Sequence, residues 1–225
     1  MVYVTGDMHG EFERFKAREL RQLKKNDTLI VCGDFGFIWD GSKQEKNTLK
    51  KIASLPYQIA FVDGCHENFD LLLSYPVENW NGAPVHQIAK NIVHLQRGCI
   101  YTIEQHTYFA FGGGHSGDME FREEGWWIQE RPTKPEIQLG IKNLSMYGNQ
   151  IDYVITHEPP SSLKDCLKMD IGERLEVNAF FEDMIKACLY RKWFFGKCHI
   201  NKYIPVKFYA MFDDVLPVTV KNTDI

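Results

Sequence analysis

The stretch Met1-Val-Tyr-Val-Thr-Gly-Asp-Met-His-Gly10 decides the fold that this sequence predicts. Residues 2–4 favour a β-strand, and Gly6 gives the backbone the freedom to leave the sheet. Asp7 and His9 then stand two apart, and residues with this spacing point the same way in an extended segment. A carboxylate and an imidazole can therefore bind one cation together, and such ligands suit Zn, Mn or Fe better than Ca. On its own, the pair is better explained as two incidental polar residues in a glycine-rich turn.

The same pattern, an apolar run followed by a residue that can bind a metal or a proton, recurs at four further places. The apolar runs lie at 28–32, 58–62, 152–156 and 193–195. The groups that follow them are Asp34, the stretch Cys65-His66-Glu67, His157 and His199. Open α/β sheets bind ligands at the carboxyl ends of their strands, so we expect one rim of the sheet to gather these groups. Each group alone is explained as a turn or a solvated loop residue, but five at the same structural position indicate a site.

The order of the remaining elements predicts an α/β fold with two sheets. Amphipathic patterns predict helices at 11–25, 43–54 and 69–74, and their alternation with strands implies right-handed parallel crossovers. Four short β-like runs then predict antiparallel strands in a second sheet, at 85–88, 92–95, 99–103 and 108–111. Later in the chain, helices are predicted at 136–147 and 173–191, and β-structure at 203–209 and 215–220.

A long irregular segment follows the second group of strands. The glycine-rich loop 112–118 contains His115, which is either a substrate or metal contact or simply a loop residue. The chain then continues through Trp126 and Trp127 in what we expect to be an ordered surface loop or lid. This aromatic pair is either part of the core or one wall of a substrate cleft.

Composition and charge limit the classes of function. The 225 residues are 44% hydrophobic, which is enough for one substantial core, and the predicted organisation is a single domain over 1–225. Basic and acidic residues are interspersed around a formal charge of −4, so the sequence has no electrostatic footprint for nucleic acid or an anionic membrane. The six cysteines form no C-x-x-C pair, and no window has the length of a membrane span. We therefore expect a reduced, cytoplasmic protein.

Taken together, the motifs resemble those of a known family. They are Asp7-x-His9, Gly33-Asp34, Gly64-x-His66-Glu67, Thr156-His157 and Gly196-x-x-His199. In this order they are similar to the motifs of the calcineurin-like metallophosphoesterases, from residue 4 to residue 199, and most of all to the small bacterial and phage-type members. The resemblance implies a four-layer α-β-β-α sandwich, in which two mixed β-sheets are flanked by helices and a two-metal site lies on one rim.

The resemblance also implies a role for each residue. The implied ligands of the first metal are Asp7, His9, Asp34 and His199. Asp34 would bridge to a second metal, which His157 also binds. His66 would protonate the leaving-group oxygen with Glu67 in support. Two cations about 3.5–4 Å apart can lower the pKa of a bridging water and hold both oxygens of a phosphoryl transfer. A well-placed general acid adds about 10²–10⁴-fold to the rate.

Two positions depart from the family pattern, and both concern the second metal. Cys65 stands where the family has Asn, and Lys197 stands where it has His. A cysteine would have to bind as thiolate, which favours a softer metal such as Zn or Fe. A lysine ammonium cannot bind a metal, and its positive charge opposes a second cation. We therefore expect one divalent transition metal, Mn, Fe or Zn, and leave the second open.

Three accounts of this departure remain open at the level of sequence. In the first, the second metal is lost and the Lys197 ammonium takes over its charge. In the second, Lys197 turns away and Cys65, Glu158 or His115 replaces the lost ligands. In the third, the site no longer turns over. A covalent link between the side chains of Cys65 and Lys197 is a further option.

The sequence thus predicts a metal-dependent phosphoesterase acting on a phosphodiester or a phosphomonoester, with a catalytically impaired protein that binds a phosphorylated ligand or partner as the alternative. Small phosphoesters, nucleotides and cyclic nucleotides are all candidate substrates. The stretch Gly33-Asp34-Phe35-Gly36 lacks the Asp-Arg-Gly ending of protein Ser/Thr phosphatases, so we do not expect a phosphoprotein. Nothing in the sequence fixes the oligomeric state.

Overall fold

The computed structural model describes residues 1–116, 127–167 and 175–219. Its strands are β1 (Val2–Thr5), β2 (Thr28–Val31), β3 (Gln58–Phe61), β4 (Val77–Trp80), β5 (Ala83–Ala89), β6 (Ile92–Leu95), β7 (Cys99–Ile103), β8 (His106–Phe111), β9 (Tyr153–Thr156), β10 (Lys192–Phe195), β11 (Lys202–Ile204), β12 (Phe208–Ala210) and β13 (Leu216–Pro217). Its α-helices are α1 (Lys43–Ala53), α2 (Phe69–Leu72), α3 (Lys134–Met146), α4 (Ser161–Leu167) and α5 (Glu176–Ala187).

The strands form two mixed sheets. One has seven strands in the order β13-β1-β2-β3-β6-β5-β4, and the other has six in the order β11-β12-β10-β9-β8-β7. Strands β1, β2, β3 and β6 run parallel, and so do β8, β9, β10 and β12. Each sheet therefore has a parallel centre whose carboxyl ends can carry a site.

Three apolar layers hold the sheets and helices together. The central layer joins the inner faces of both sheets, with Val4 and Ile30 from one and Ile155 from the other. Leu49 and Ile52 of α1 pack in a second layer on the outer face of the seven-stranded sheet. A third layer covers the six-stranded sheet with α3 and α5. This arrangement confirms the predicted four-layer α-β-β-α fold with helices on both outer faces.

The predicted helix at 11–25 is wrong. The chain forms two short 3-10 helices instead, Phe12–Lys16 and Leu20–Gln22. Phe12 and Phe15 are three residues apart, as are Leu20 and Leu23, and this spacing suits the three-residue turn of a 3-10 helix. The five-residue step between the two pairs breaks the continuous period that an α-helix would need.

The predicted content of the second sheet is partly wrong. Strands β5 and β6 belong to the first sheet, because β6 pairs in parallel with β3 and β5 pairs antiparallel with β6. Of the four strands predicted for the second sheet, only β7 and β8 belong to it. Residues in β6 are buried throughout, as they are in the central strands of both sheets, so the apolar pattern does not say which sheet a strand joins. The sequence analysis also missed β4, an edge strand with mostly exposed residues.

Other boundaries differ by a few residues. The helix expected at 173–191 is observed as α5, Glu176–Ala187, and residues 173–174 lie outside the described part. Residues 117–118 of the glycine-rich loop and Trp126 of the aromatic pair also lie outside it. Trp127 is partly buried against the outer layer that contains α1. None of the described helices has the length and apolar character needed to cross a bilayer.

Candidate metal centre

The carboxyl ends of β1, β2, β3, β9 and β10 meet at one rim between the two sheets. As expected from the strand pattern, this rim carries side chains from all five strand ends. They are Asp7, His9, Asp34, Cys65, His66, Glu67, His157, Lys197 and His199. The site divides into two halves, which we call the first position and the second position. The first position comprises Asp7, His9, Asp34 and His199; the second comprises Cys65, His157, Glu158 and Lys197.

Four side chains converge at the first position. Each of Asp7, His9, Asp34 and His199 offers one ligand atom, and these four atoms lie within 4.8 Å of one another. His9 Nε2 is 2.9 Å from His199 Nε2, and His199 Nε2 is 3.3 Å from Asp7 Oδ2. His9 Nε2 is 3.8 Å from Asp34 Oδ2. Two carboxylates and two imidazoles form a donor set that suits Mn, Fe or Zn.

The state of these side chains fits a divalent cation. Asp7 is fully buried, and its Oδ1 atom accepts no hydrogen bond from any described residue. Its nearest candidate donor, His157 Nδ1, is 3.5 Å away. Burial lowers the pKa of His9, which favours the neutral imidazole that metals bind. A buried carboxylate oxygen without a hydrogen bond is costly, and a cation at the first position would remove that cost.

Several residues of the metal centre have backbone conformations that residues other than glycine rarely adopt. His9, Asp34, Lys197 and His199 have φ angles of 47°, 42°, 69° and 46°. Such left-handed residues cost about 1–3 kcal/mol each in unfavourable cases, and they cluster at functional sites. Position 64 has no room for a side chain, because a Cβ atom there would overlap the Asp34 carboxylate. The local fold is thus strained so that side chains from separate strands approach each other.

Asp34 is held by the loop that follows β3. Its Oδ1 accepts hydrogen bonds from the backbone amides of Cys65 at 2.6 Å and His66 at 2.9 Å. Its Oδ2 lies 2.9 Å from His66 Nδ1. Burial opposes its ionisation, but His157 and His66 together hold the pKa of Asp34 well below its usual range. Asp34 is therefore an oriented, ionised carboxylate.

His66 and Glu67 act at different places, although they are adjacent in sequence. The His66 side chain is 44% exposed and faces the rim, and its hydrogen bond to Asp34 raises its pKa. Glu67 is fully buried and accepts hydrogen bonds from the amides of Phe35 at 2.6 Å and Gly36 at 3.3 Å. Glu67 therefore orders the loop that carries Asp34. Its carboxylate makes these contacts at the backbone, on the side away from the exposed ring.

At the second position, the ammonium group of a lysine lies close to three neighbouring groups. Lys197 Nζ lies 3.0 Å from Cys65 Sγ, 2.8 Å from the carbonyl oxygen of His115 and 4.0 Å from Glu158 Oε1. Burial alone would lower the pKa of Lys197, but Cys65 and Glu158 raise it above its usual value. Burial raises the pKa of the Cys65 thiol, so Glu158 is the anion that offsets the lysine charge.

Glu158 is itself fully engaged. Its Oε2 is 2.5 Å from Lys164 Nζ and 3.3 Å from Asn178 Nδ2. Its Oε1 accepts a hydrogen bond of 3.4 Å from the His115 amide. Lys164 and Asn178 lie on α4 and α5, are almost fully buried, and were missed by the sequence analysis. No local motif marks them, because their partner is a residue on another element.

His157 belongs to the second position and also approaches Asp34 of the first position. Its Nδ1 is 3.2 Å from the carbonyl oxygen of Cys32, and its Nε2 is 3.7 Å from Asp34 Oδ1 and 3.6 Å from Cys65 Sγ. Nδ1 thus faces that carbonyl, and Nε2 faces Asp34 and Cys65. His157 is not one of the four converging ligands, and its binding of a second metal stays a prediction.

His115 contributes its backbone more than its ring. The imidazole is 3.5 Å from the buried Glu130 carboxylate and 3.2 Å from Arg131 Nη2. Its carbonyl oxygen accepts the hydrogen bond from Lys197. The side chain thus lies outside the first position, and a substrate or metal contact of His115 stays a prediction.

Comparison with known proteins identifies the family. A family model for calcineurin-like phosphoesterases matches residues 1–186. The chain belongs to the calcineurin-like phosphoesterase family. The match covers the strand ends from Asp7 to His157 and stops before Lys197 and His199, so the structure adds the last strand end of this phosphoesterase to the site. The family implies metal-dependent hydrolysis of phosphoesters, and the converging Asp and His side chains are its candidate ligands.

The other comparisons give less. Among solved structures, the phosphopantetheinyl hydrolase from Mycobacterium tuberculosis is similar to this phosphoesterase at 13% identity and a TM-score of 0.43, over 94% of this chain and 89% of that chain. A similarity at this level carries no argument about substrate. No curated protein matches the chain significantly.

Proposed function

We propose that this phosphoesterase acts as a single domain and works with one divalent cation at the first position, with the Lys197 ammonium supplying the positive charge at the second. The observation that carries the proposal is the contact of Lys197 Nζ with Cys65 Sγ at 3.0 Å. The two residues that depart from the family pattern contact each other where the family would hold its second metal. A charged lysine there opposes a second cation, and beside its bonds to Cys65 and the His115 carbonyl it has one further N–H to donate to a phosphate.

Asp7, His9, Asp34 and His199 would hold the cation. A divalent transition metal bound there supplies Lewis acidity and lowers the pKa of a bound water. Mn, Fe and Zn all suit this donor set. Glu67 and the amides of Cys65 and His66 keep Asp34 oriented, so the carboxylate needs little rearrangement on binding.

Lys197 has the position and charge to bind a phosphoryl oxygen. Its pKa is raised, so it is an ammonium at neutral pH, and its side chain is 19% exposed at the rim. A lysine acts on phosphate as a point charge, as it does in P-loops. The negative charge that develops on the transferred phosphoryl group would then be stabilised by a fixed group of the chain.

His66 is the proposed general acid. Its imidazole is 44% exposed at the rim, and its hydrogen bond to Asp34 raises its pKa and so favours the protonated ring. Protonation of the leaving-group oxygen by this ring would contribute about 10²–10⁴-fold. Asp34 also fixes the ring through Nδ1, which leaves Nε2 for the substrate.

The proposed substrates are small phosphomonoesters or phosphodiesters, with nucleotides and cyclic nucleotides among them. The proposed compartment is the cytoplasm. The second candidate is a catalytically impaired protein that binds a phosphorylated ligand, and the specific observation in its favour is that two ammonium groups, those of Lys164 and Lys197, lie beside the single carboxylate of Glu158, which leaves a net positive charge at the second position without a second metal.

The enzyme and the binding protein can be distinguished by measuring turnover with the purified, Mn-loaded protein. The substrates are an aryl phosphomonoester and an aryl phosphodiester. We expect metal-dependent cleavage that is lost in Asp34→Ala and reduced about 10²–10⁴-fold in His66→Ala. The matched control is Asp183→Ala, a carboxylate on α5 that is 80% exposed and remote from the rim. Wild-type turnover no greater than that of Asp34→Ala would overturn the enzyme proposal in favour of the binding protein.

A further inference from the structure

Trp39 is 40% exposed and lines a cleft that also includes Gly10, the residue after His9 of the metal centre. The cleft has a volume of about 260 Å³ and runs from Gly10 and Gly36 past Trp39 to Thr48 on α1. Gly10 directly follows His9, and Gly36 packs so closely on the His9 backbone that a Cβ atom would clash with it. A substrate with its phosphoryl group at the first position can therefore extend into this cleft.

Trp39 is held more rigidly than an ordinary surface residue. Its backbone amide donates to Glu45 Oε2 at 2.6 Å, and its carbonyl oxygen accepts from Asn68 Nδ2 at 2.6 Å. Its ring meets the edge of Trp127, with ring centroids 5.5 Å apart and an interplanar angle of 78°. The Trp127 indole N–H in turn donates to Asp70 Oδ2 at 2.8 Å. A rigid, exposed aromatic side chain binds a ligand at a low entropic cost.

The chemistry of the cleft selects a planar aromatic ligand. An indole face stacks on any flat ring, and such stacking tolerates all nucleobases. Gln44 and Thr48 line the same cleft and can hydrogen-bond the edge of a stacked ring. Glu45 also lines the cleft, and its carboxylate already accepts bonds from the backbone amides of Trp39, Asp40 and Gly41.

We propose that Trp39, braced by Trp127, binds a planar aromatic leaving group, such as the base of a nucleoside phosphate, while the phosphoryl group occupies the metal centre. The inference rests on the proposed function, because it is the metal centre that fixes the phosphoryl end. Trp127 does not itself line the cleft, and its part is to support the Trp39 ring. Trp39 was not among the residues that the sequence analysis singled out.

The test uses substrates with and without the aromatic ring. Adenosine 5′-monophosphate and ribose 5-phosphate share the phosphoryl group and the sugar, and only the first carries a base. We expect Trp39→Ala to raise KM for the first by about tenfold and to change kcat little, with no change in KM for the second. Trp39→Phe should restore most of the binding, since it keeps a flat ring. The matched control is Tyr147→Ala on the far side of the fold, where a tyrosine is 43% exposed.

A second measurement keeps this inference separate from the proposed function. Adenosine has no phosphate, so its binding, measured by isothermal titration calorimetry, does not require turnover. Binding that is lost in Trp39→Ala but retained in Tyr147→Ala supports the subsite even if neither phosphate is hydrolysed, and in that case only the proposed function falls. Hydrolysis of both phosphates with equal KM changes in Trp39→Ala, or adenosine binding that persists in this variant, would overturn the subsite and leave the proposed function standing.

Discussion

The two halves of the metal centre are built from opposite charge arrangements. At the first position, the carboxylates of Asp7 and Asp34 contact imidazoles and backbone amides, and one buried Asp7 oxygen accepts no hydrogen bond from a described residue. At the second position, Glu158 is in contact with two ammonium groups, those of Lys164 and Lys197. The first half has negative charge that a cation can offset, whereas the charged side chains of the second half leave a net positive charge.

The proposed one-metal site would differ from the two-metal pattern of the family at two residues. Lys197 brings a positive charge to the second position, and Cys65 offers it a weak acceptor in place of an amide oxygen. The first position keeps all four ligands because they lie on other strand ends. Each of the following predictions changes one half and leaves the other as the comparison.

The largest effect is expected from removing the buried lysine of the second half. Lys164→Met leaves Glu158 buried with one ammonium fewer, and breaking a buried ion pair costs about 3–5 kcal/mol in the free energy of unfolding. Urea denaturation measures this loss. The matched control is Lys186→Met, which removes an ion pair whose lysine is 73% exposed and which should change stability by less than about 0.5 kcal/mol. Equal effects of the two changes would mean that Glu158 does not depend on Lys164.

A smaller effect is expected from removing the charge that replaces the second metal. Lys197→Met keeps the length of the side chain but removes a fixed positive group, so kcat/KM for a phosphoester should fall by about 10²–10³-fold. Cation content should stay at one per chain or rise. Lys197→Arg restores the charge and serves as the control. Unchanged turnover in Lys197→Met would contradict the assigned role of this lysine.

The smallest effect is expected from the first half, at a residue that supports a ligand. Glu67→Gln replaces one of the two oxygens that accept the Phe35 and Gly36 amides with an NH2 group, so the Asp34 loop should loosen and Mn affinity should fall about tenfold. Isothermal titration with Mn measures the change. Glu45→Gln alters a similar carboxylate that receives the amides of Trp39 and Gly41, and it should leave Mn affinity as it is. A tenfold loss in both variants would make the effect nonspecific.

The strand-end pattern predicted most of the site because its physical rule is general. Asp7, Asp34 and His157 follow buried strands, and the carboxyl ends of parallel strands meet at one rim. Such a rule places a residue without reference to its neighbours. The four-layer fold could be predicted for the same reason, together with the resemblance to the family.

The rest depends on contacts between distant residues, which a single sequence does not display. The direction of the Lys197 side chain is set by Cys65 and Glu158, which come from other strand ends. The burial of Lys164 depends on a carboxylate that precedes its helix and on Asn178 from α5. The assignment of β6 to the first sheet depends on its pairing with β3 across an intervening helix and hairpin.

The most direct test of the one-metal account is the number of cations bound per chain, measured by elemental analysis after loading with Mn and desalting. We expect one per wild-type chain, and two in the double variant Cys65→Asn with Lys197→His, which restores the ligands of the family pattern. His157 is already placed to complete that second set. Two cations in the wild-type protein would contradict the account, since Lys197 could not then hold the second position.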